Sequence, residues 1–266
     1  MKKSLKLFLV LILLFVLADR LVYKGILSID EKVFTGQSGG KVNHFLSLKD
    51  SVNLLVFGSS RAVHHLDPKV LNVSSYNIGV DGTRIGYSAA LISSLNKKEQ
   101  IILVHIDPSA IYNSDYVGDD MLSLLNVSAR NESINGFIKE IHPDEIYLSK
   151  MFNCYVYNGK FLGLLKNRFR PKYDYKQYSG YEPIYPTKEQ EIIFNKLIDK
   201  TDFSNLNYDS VSTIPNTLVD NFISKIKQKC DENSSNLIFF TSPSLRKSST
   251  DLKQKTKKYF DLKGIE

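Results

Sequence analysis

The sequence has no tryptophan, two cysteines, three methionines and five histidines in 266 residues. So few soft ligands leave no paired Cys/His spacing of a zinc site, and Cys154 and Cys230 match no redox motif. In an exported chain the two cysteines form one disulfide or remain two thiols, and the sequence leaves both open. No Gly-x-x-x-x-Gly-Lys-Ser/Thr cradle is present, which disfavours a phosphate-binding α/β domain. Internal repeats and low-complexity tracts are absent. No metal and no organic cofactor is expected. The longest apolar run, residues 7–18, holds 12 residues, short of the roughly 20 that a full membrane span needs.

What is present is ordinary globular composition, 42% hydrophobic and 24% charged, which excludes a wholly disordered chain. The formal net charge of +7 suits acidic partners, although the basic residues form no single block and read as a solvated surface.

Lys2, Lys3 and Lys6 precede the apolar run, the pattern of an export signal or signal anchor. The run extends as an anchor over residues 1–23 if Asp19 and Arg20 lie near the outer headgroups. A retained anchor is expected in preference to cleavage after Ala18 or to a helix buried in a soluble core. The positive-inside rule then keeps the lysines cytoplasmic and exports the rest of the chain.

Residues 24–50 read as a turn-rich connector with Gly36, Gly39 and Gly40. From residue 51 the pattern becomes strand, helix, strand, helix, strand. Apolar runs at 52–57, 75–78 and 100–106 are each closed by turn residues, and helical spacing covers 85–95. A helix begins at Arg61 and breaks near Asp67-Pro68. This order predicts an α/β domain over 51–266, a three-layer α/β/α sandwich with a central parallel sheet. Residues 113–215 read as a helical and loop insertion, holding eight of the 15 tyrosines between Tyr147 and Tyr185, with Lys166, Arg168, Arg170, Lys172 and Lys176. Its aromatic and basic side chains suit sugar stacking or an anionic polymer, or simply pack the insertion. The α/β pattern resumes with a helix at 217–230, a strand at 236–241 and a last amphipathic helix. The final residues, 259–266, lead from that helix toward a further strand, so a longer protein is expected.

The stretch Leu54-Leu55-Val56-Phe57-Gly58-Ser59-Ser60-Arg61 sets a serine just past a buried strand, at the start of a helix. In open parallel sheets ligands bind outside the carboxyl ends of the strands, and a helix start offers backbone N–H groups to an oxyanion. A serine there is a candidate nucleophile once a base assists it, or else a plain helix N-cap.

This stretch resembles the first block of the SGNH (GDSL-like) hydrolases, in the Gly-Ser-Ser-Arg form of membrane-anchored members linked to cell-surface polysaccharides. Asn77-Ile78-Gly79-Val80-Asp81-Gly82, about 20 residues on, resembles the second block. The likeness covers residues 50–112 and 217–245. It implies a flavodoxin-like SGNH fold, Ser60 as nucleophile, and an oxyanion hole from the amides of Ser60 and Gly79. Arg61, Asn77 and Asp107 become candidate substrate-binding residues. The implied function is a serine esterase or O-acyltransferase acting on ester groups of a cell-surface polysaccharide or other acylated glycan. The implied location is the bacterial cytoplasmic membrane, single-pass, with the main domain outside, away from nucleic acid.

Two departures stand out. The third strand ends in His105-Ile106-Asp107-Pro108 where the family carries an oxyanion Asn, and no Asp-x-x-His block is present. The alternative function is therefore a non-catalytic module that binds glycan or scaffolds an envelope assembly. His64 stands four residues after Ser60, and His65, His105 and His142 read as surface or packing residues. Arg61 has a structural reading, an ion pair with Asp67 or another carboxylate, and Asp107 has one as a loop cap.

Overall fold

Four short runs of apolar, β-forming residues build the sheet of this protein, whose computed structural model describes residues 2–171, 173–200, 214–243 and 250–265. Lys172 and the 201–213 part of the expected insertion lie outside the described residues, as does the link 244–249 before the last helix. In chain order the elements are α1 (Lys2–Asp30), α2 (Lys41–Leu48), β1 (Leu54–Phe57), α3 (Ser60–His65), β2 (Ser75–Asn77), α4 (Ile85–Ile92), β3 (Ile101–His105), α5 (Pro108–Ile111) and α6 (Leu125–Ser128). Then follow α7 (Glu132–Ile141), α8 (Pro143–Met151), α9 (Phe161–Phe169), α10 (Lys188–Lys200), α11 (Thr217–Glu232), β4 (Asn236–Phe240) and α12 (Thr250–Leu262).

All strand pairs are parallel, in the order β2-β1-β3-β4. The expected α/β domain with a parallel sheet is present. Its strands are apolar on both faces because both are to be covered. Leu55, Phe57, Ile102, Val104 and Leu237 face one large core that includes Phe45 of α2, Leu91 of α4, Ile138 of α7 and Phe222 of α11. On the other face Leu54 and Val56 pack with Ala62 of α3, and Ile101, Leu103 and Phe240 are only half-buried there.

The helix begun after β1 stops where the sequence says it should. Asp67 accepts from the N–H of Lys69 at 3.0 Å, and Pro68 opens a single 3₁₀ turn. In the stretch read as an insertion, Met121, Leu124, Ile134, Ile146, Val156 and Leu164 belong to the same core as the sheet. In α10, by contrast, no side chain is buried.

The expected connector over 24–50 is mostly helical. α1 runs to Asp30 because its second half packs on the body. The Asp19 carboxylate accepts from the N–H groups of Asn153 and Cys154 at 2.7 and 3.0 Å, and Arg20 donates to the carbonyl of Lys150. Ile26 is buried, and Asp30, fully enclosed, accepts from Asn126, Tyr157 and Arg130 at 3.1 to 3.3 Å. The first half of α1 leaves the apolar side chains of residues 5–17 exposed around its circumference.

Among the described residues no helix is long and apolar enough to cross a membrane. The expected spanning segment is unsupported for a plain reason. Asp19 and Arg20 cut the apolar run at 12 residues, roughly 18 Å of helix against a hydrocarbon core of about 30 Å.

Lys41 is buried and Lys160 is half-buried. Lys41 donates to the carbonyl of Gly79 at 2.5 Å and lies over the ring of Tyr175, and burial pulls its pKa down to about 7 against the opposing pull of Glu182 and Asp81. Lys160 donates to Ser123 and Asn126, and burial brings it down to about 8. Between those values and their ordinary value of 10.5 the unfolded chain holds more protons than the folded one. Stability is therefore expected to rise with pH from about 7 toward 10, by a few kcal/mol. Urea denaturation of the detergent-solubilised chain at stepped pH measures this rise, and Lys41→Met is expected to remove a large part of the slope.

Candidate active site

Strand order decides where a ligand can enter. From β1 the chain moves to β2 on one side and then returns past β1 to β3 on the other, so a crevice opens at the carboxyl ends of β1 and β3. A cavity of about 790 Å³ lies there. Gly58 to Arg61 contribute from the end of β1, Thr83 to Ile85 from the loop after β2, and His105 to Asp107 with Ser109 from the end of β3, with Tyr112 and Tyr116 beyond.

Gly58 makes the turn possible. Its φ is +141°, and a Cβ there would come within 2.7 Å of the Cβ of His105 and 2.9 Å of the Cβ of Ala62. Ser59 takes the N-cap position of α3 but makes no capping bond with its side chain. Ser60 is therefore the first residue inside the helix, not its cap. It is exposed at the crevice, and its hydroxyl has no hydrogen-bond partner among the described residues. Its backbone N–H is one of the first-turn amides that a helix leaves without an internal acceptor.

The second motif behaves differently from expectation. The N–H of Gly79 donates to Asn77 Oδ1 at 2.9 Å, closing a turn on the asparagine side chain. Its carbonyl is held by Lys41, and it is not among the residues lining the crevice. Gly79 is thus engaged on both sides and does not present a free amide to an oxyanion. Asn77 is fully buried, and its Nδ2 donates to the carbonyls of Ala62 and Leu66 at 2.7 and 2.8 Å. It grips the end of α3 and is shut off from any substrate.

Arg61 pairs with Asp107, at 3.3 Å, and not with Asp67. Both groups are partly exposed, so the bridge adds little stability. It does offset the Asp107 charge beside the crevice. The other Asp107 oxygen accepts from the N–H and hydroxyl of Ser109 at 3.1 and 2.8 Å, which fits its reading as a cap, here of α5. His64 cannot serve Ser60: its Nδ1 lies 2.6 Å from the carbonyl of Glu182 and its Nε2 3.0 Å from Asp81. His142 bonds the carbonyl of Gly118, away from the site.

His105 was grouped above with packing residues, and part of that holds, since its ring meets Phe240 edge-to-face at 5.3 Å. Yet it lines the crevice, is 7% exposed, and its Nε2 has no partner among the described residues. Burial, with Arg61 adding to it, holds its pKa down to about 4, so the imidazole is neutral at neutral pH. The signal was its place as the last residue of a central parallel strand. Asp120, also passed over, accepts from the N–H groups of Arg84 and Tyr87 at 2.7 and 2.9 Å and from Tyr116. It locks the start of α4 against the crevice wall. Among the described residues no group of three or more His, Cys, Asp or Glu is placed to hold a metal ion.

No protein-family model and no curated protein matches the chain. Because Asn77 makes three buried bonds, Asn77→Ala is expected to cost about 2–4 kcal/mol, leaving two carbonyls and one N–H to find other partners. Asn77→Asp, which keeps an acceptor for Gly79 but loses both donors, should be no better. Shifts of the denaturant midpoint measure both.

Proposed function

We propose that the chain is a membrane-attached serine esterase or O-acyltransferase of the SGNH kind, acting on ester groups of a cell-surface polysaccharide. The observation that carries this reading is the unpartnered, exposed hydroxyl of Ser60, set at a helix start over the β1/β3 crevice. The strand order supports a flavodoxin-like three-layer arrangement for the fold.

In the proposed reaction Ser60 Oγ attacks the ester carbonyl carbon, and its proton passes to the neutral Nε2 of His105. The negative charge formed on the carbonyl oxygen is met by the Ser60 N–H and the Arg61 guanidinium, which take the place of the engaged Gly79 amide. Collapse breaks the bond to the sugar oxygen, which regains the proton and leaves. Water or another sugar hydroxyl then takes the acyl group from Ser60. An imidazole whose pKa lies near 4 is a weak base, so slow turnover is expected from these groups alone.

The engaged amide of Gly79 and this weak base favour a second reading, a non-catalytic module that holds glycan in the same crevice. A serine-reactive fluorophosphonate separates the two. Labelling of the wild type and none of Ser60→Ala is expected, with His105→Ala slowed by about 10²-fold or more. With a base near 4, the labelling rate should be level across neutral pH. A rise centred near 6.5, the ordinary histidine value, would assign the base to a different group. Equal labelling of wild type and Ser60→Ala leaves the non-catalytic reading.

Membrane attachment is supported by the exposed apolar half of α1, with basic residues at its start. Alkaline carbonate should leave the wild type in the membrane fraction. Leu11→Lys with Leu14→Lys should shift it to the supernatant, and wild type in the supernatant would reject the anchor.

A further inference from the structure

A second groove, about 1020 Å³, opens between α2 and the tyrosine-rich segment after α9. We propose that it binds a neutral saccharide chain, with tyrosine rings as stacking faces and His44 as a hydrogen-bonding group. The proposal deepens the glycan reading of the Ser60 crevice and rests on it for which polymer is bound.

The rings of Tyr173 and Tyr178 stack at 5.2 Å and 23°, and Tyr185 stands 81% exposed beside the same groove. Tyr173 and Tyr178 are half-buried and Tyr185 is bare; an aromatic ring left bare costs solvation unless something covers it, and tyrosine pairs an apolar face with a polar tip. A pyranose ring matches that surface, since it has flat C–H faces and a rim of hydroxyls. The rim also finds partners. Asp174, Lys176 and Gln177 lie along the groove. His44 lines it with a buried Nδ1 that has no partner among the described residues, its ring held edge-on between Phe34 and Tyr76. Burial lowers the pKa of His44, so its neutral ring offers one donor and one acceptor. One acidic and one basic side chain balance, which gives no preference for a polyanion. The polar groups make the groove unsuited to an acyl chain.

The groove is also preformed. The segment crosses the free edge of β2, where the Asn77 N–H donates to the Ser179 carbonyl at 2.8 Å. Gly180, at φ +78°, lies so close to the Asn77 carbonyl that a Cβ would stand 2.0 Å from it. Glu182 then bonds through its N–H to the Val63 carbonyl at 3.0 Å and through its carbonyl to His64. Val63 and His64 belong to the helix that begins with Ser60, so a chain lying in this groove borders the element that carries the nucleophile.

The test uses the full detergent-solubilised chain and soluble oligosaccharides of neutral hexoses and of N-acetylhexosamines, followed by titration calorimetry. Binding is expected, weakened about 3- to 10-fold by Tyr178→Ala and by Tyr185→Ala, the scale of one lost aromatic contact. Tyr185→Phe should keep most of the affinity, and Ser60→Ala should not change it. Fluorophosphonate labelling should survive Tyr185→Ala, so loss of the groove and loss of the nucleophile read out separately. Tyr185 is exposed, so circular dichroism should show that this variant folds. No binding by either saccharide class, binding indifferent to both alanine variants, or preferential binding of a proline-rich peptide would each overturn the proposal.

Discussion

A single buried side chain fixes where the candidate nucleophile stands. Asn77 ends β2, and it spends both amide hydrogens on the carbonyls of Ala62 in α3 and of Leu66 just beyond it, and its oxygen on the N–H of Gly79. α3 is six residues long, too short to hold itself together by its own hydrogen bonds. At its C-terminal end the Leu66 N–H and the Glu182 N–H take the carbonyls of Ala62 and Val63, and Asn77 adds a second bond to Ala62 and the bond to Leu66; its start, Ser59 and Ser60, hangs on the Gly58 turn. Three constraints therefore meet within one helical turn: a glycine that admits the close approach of β3, a cap position with a free side chain, and an asparagine that holds the far end. Ser60 is left at the mouth of the crevice with a hydroxyl that has no partner among the described residues.

The same economy explains why Gly79 is not free. An Asn-x-Gly stretch at a strand end closes naturally into a turn on the asparagine side chain. Once it does, the glycine N–H is occupied, and its carbonyl becomes the acceptor for a lysine that has few other ways to be buried. Lys41 is fully enclosed, and its hydrogen bond to this carbonyl, the ring of Tyr175 and the more distant Glu182 and Asp81 are what offset its desolvation. Burial at the crevice itself acts on His105, which stays neutral between the Phe240 ring and the Gly58 turn.

Much of this was legible in the residues. Short apolar runs ending in turn residues gave the parallel strands, Asp67-Pro68 gave the break after α3, and the Gly-Ser-Ser stretch gave an exposed serine at a strand-to-helix junction. The reading failed where the decisive partner lies far away in sequence. Asn77 looked like a substrate ligand because its partners, Ala62 and Leu66, come into reach only when β2 lies beside β1. The connector looked like turns because its glycines speak locally, whereas the helix reaches Asp30, which has contacts more than 90 residues away. His105 read as a surface or packing residue, because only the assembled crevice brings its nitrogen, without a partner among the described residues, to the site.

Those distant contacts also join the two halves of the molecule. Asp30, at the end of α1, accepts from Asn43 of α2 through its carbonyl, and Arg130 bridges Asp30 and Asn43. α2 carries Lys41, Lys41 holds Gly79, Gly79 holds Asn77, and Asn77 holds the helix of Ser60. Every link is a buried or partly buried hydrogen bond, and breaking any one leaves a polar group in a low-dielectric interior. The exposed apolar half of α1 is thus no loose tether. Asp19, Arg20 and the Asp30 cluster clamp it to the body, so whatever its apolar side chains enter fixes the direction in which the Ser60 crevice faces. A flexible linker would let the site sample all orientations, whereas this arrangement commits it to one.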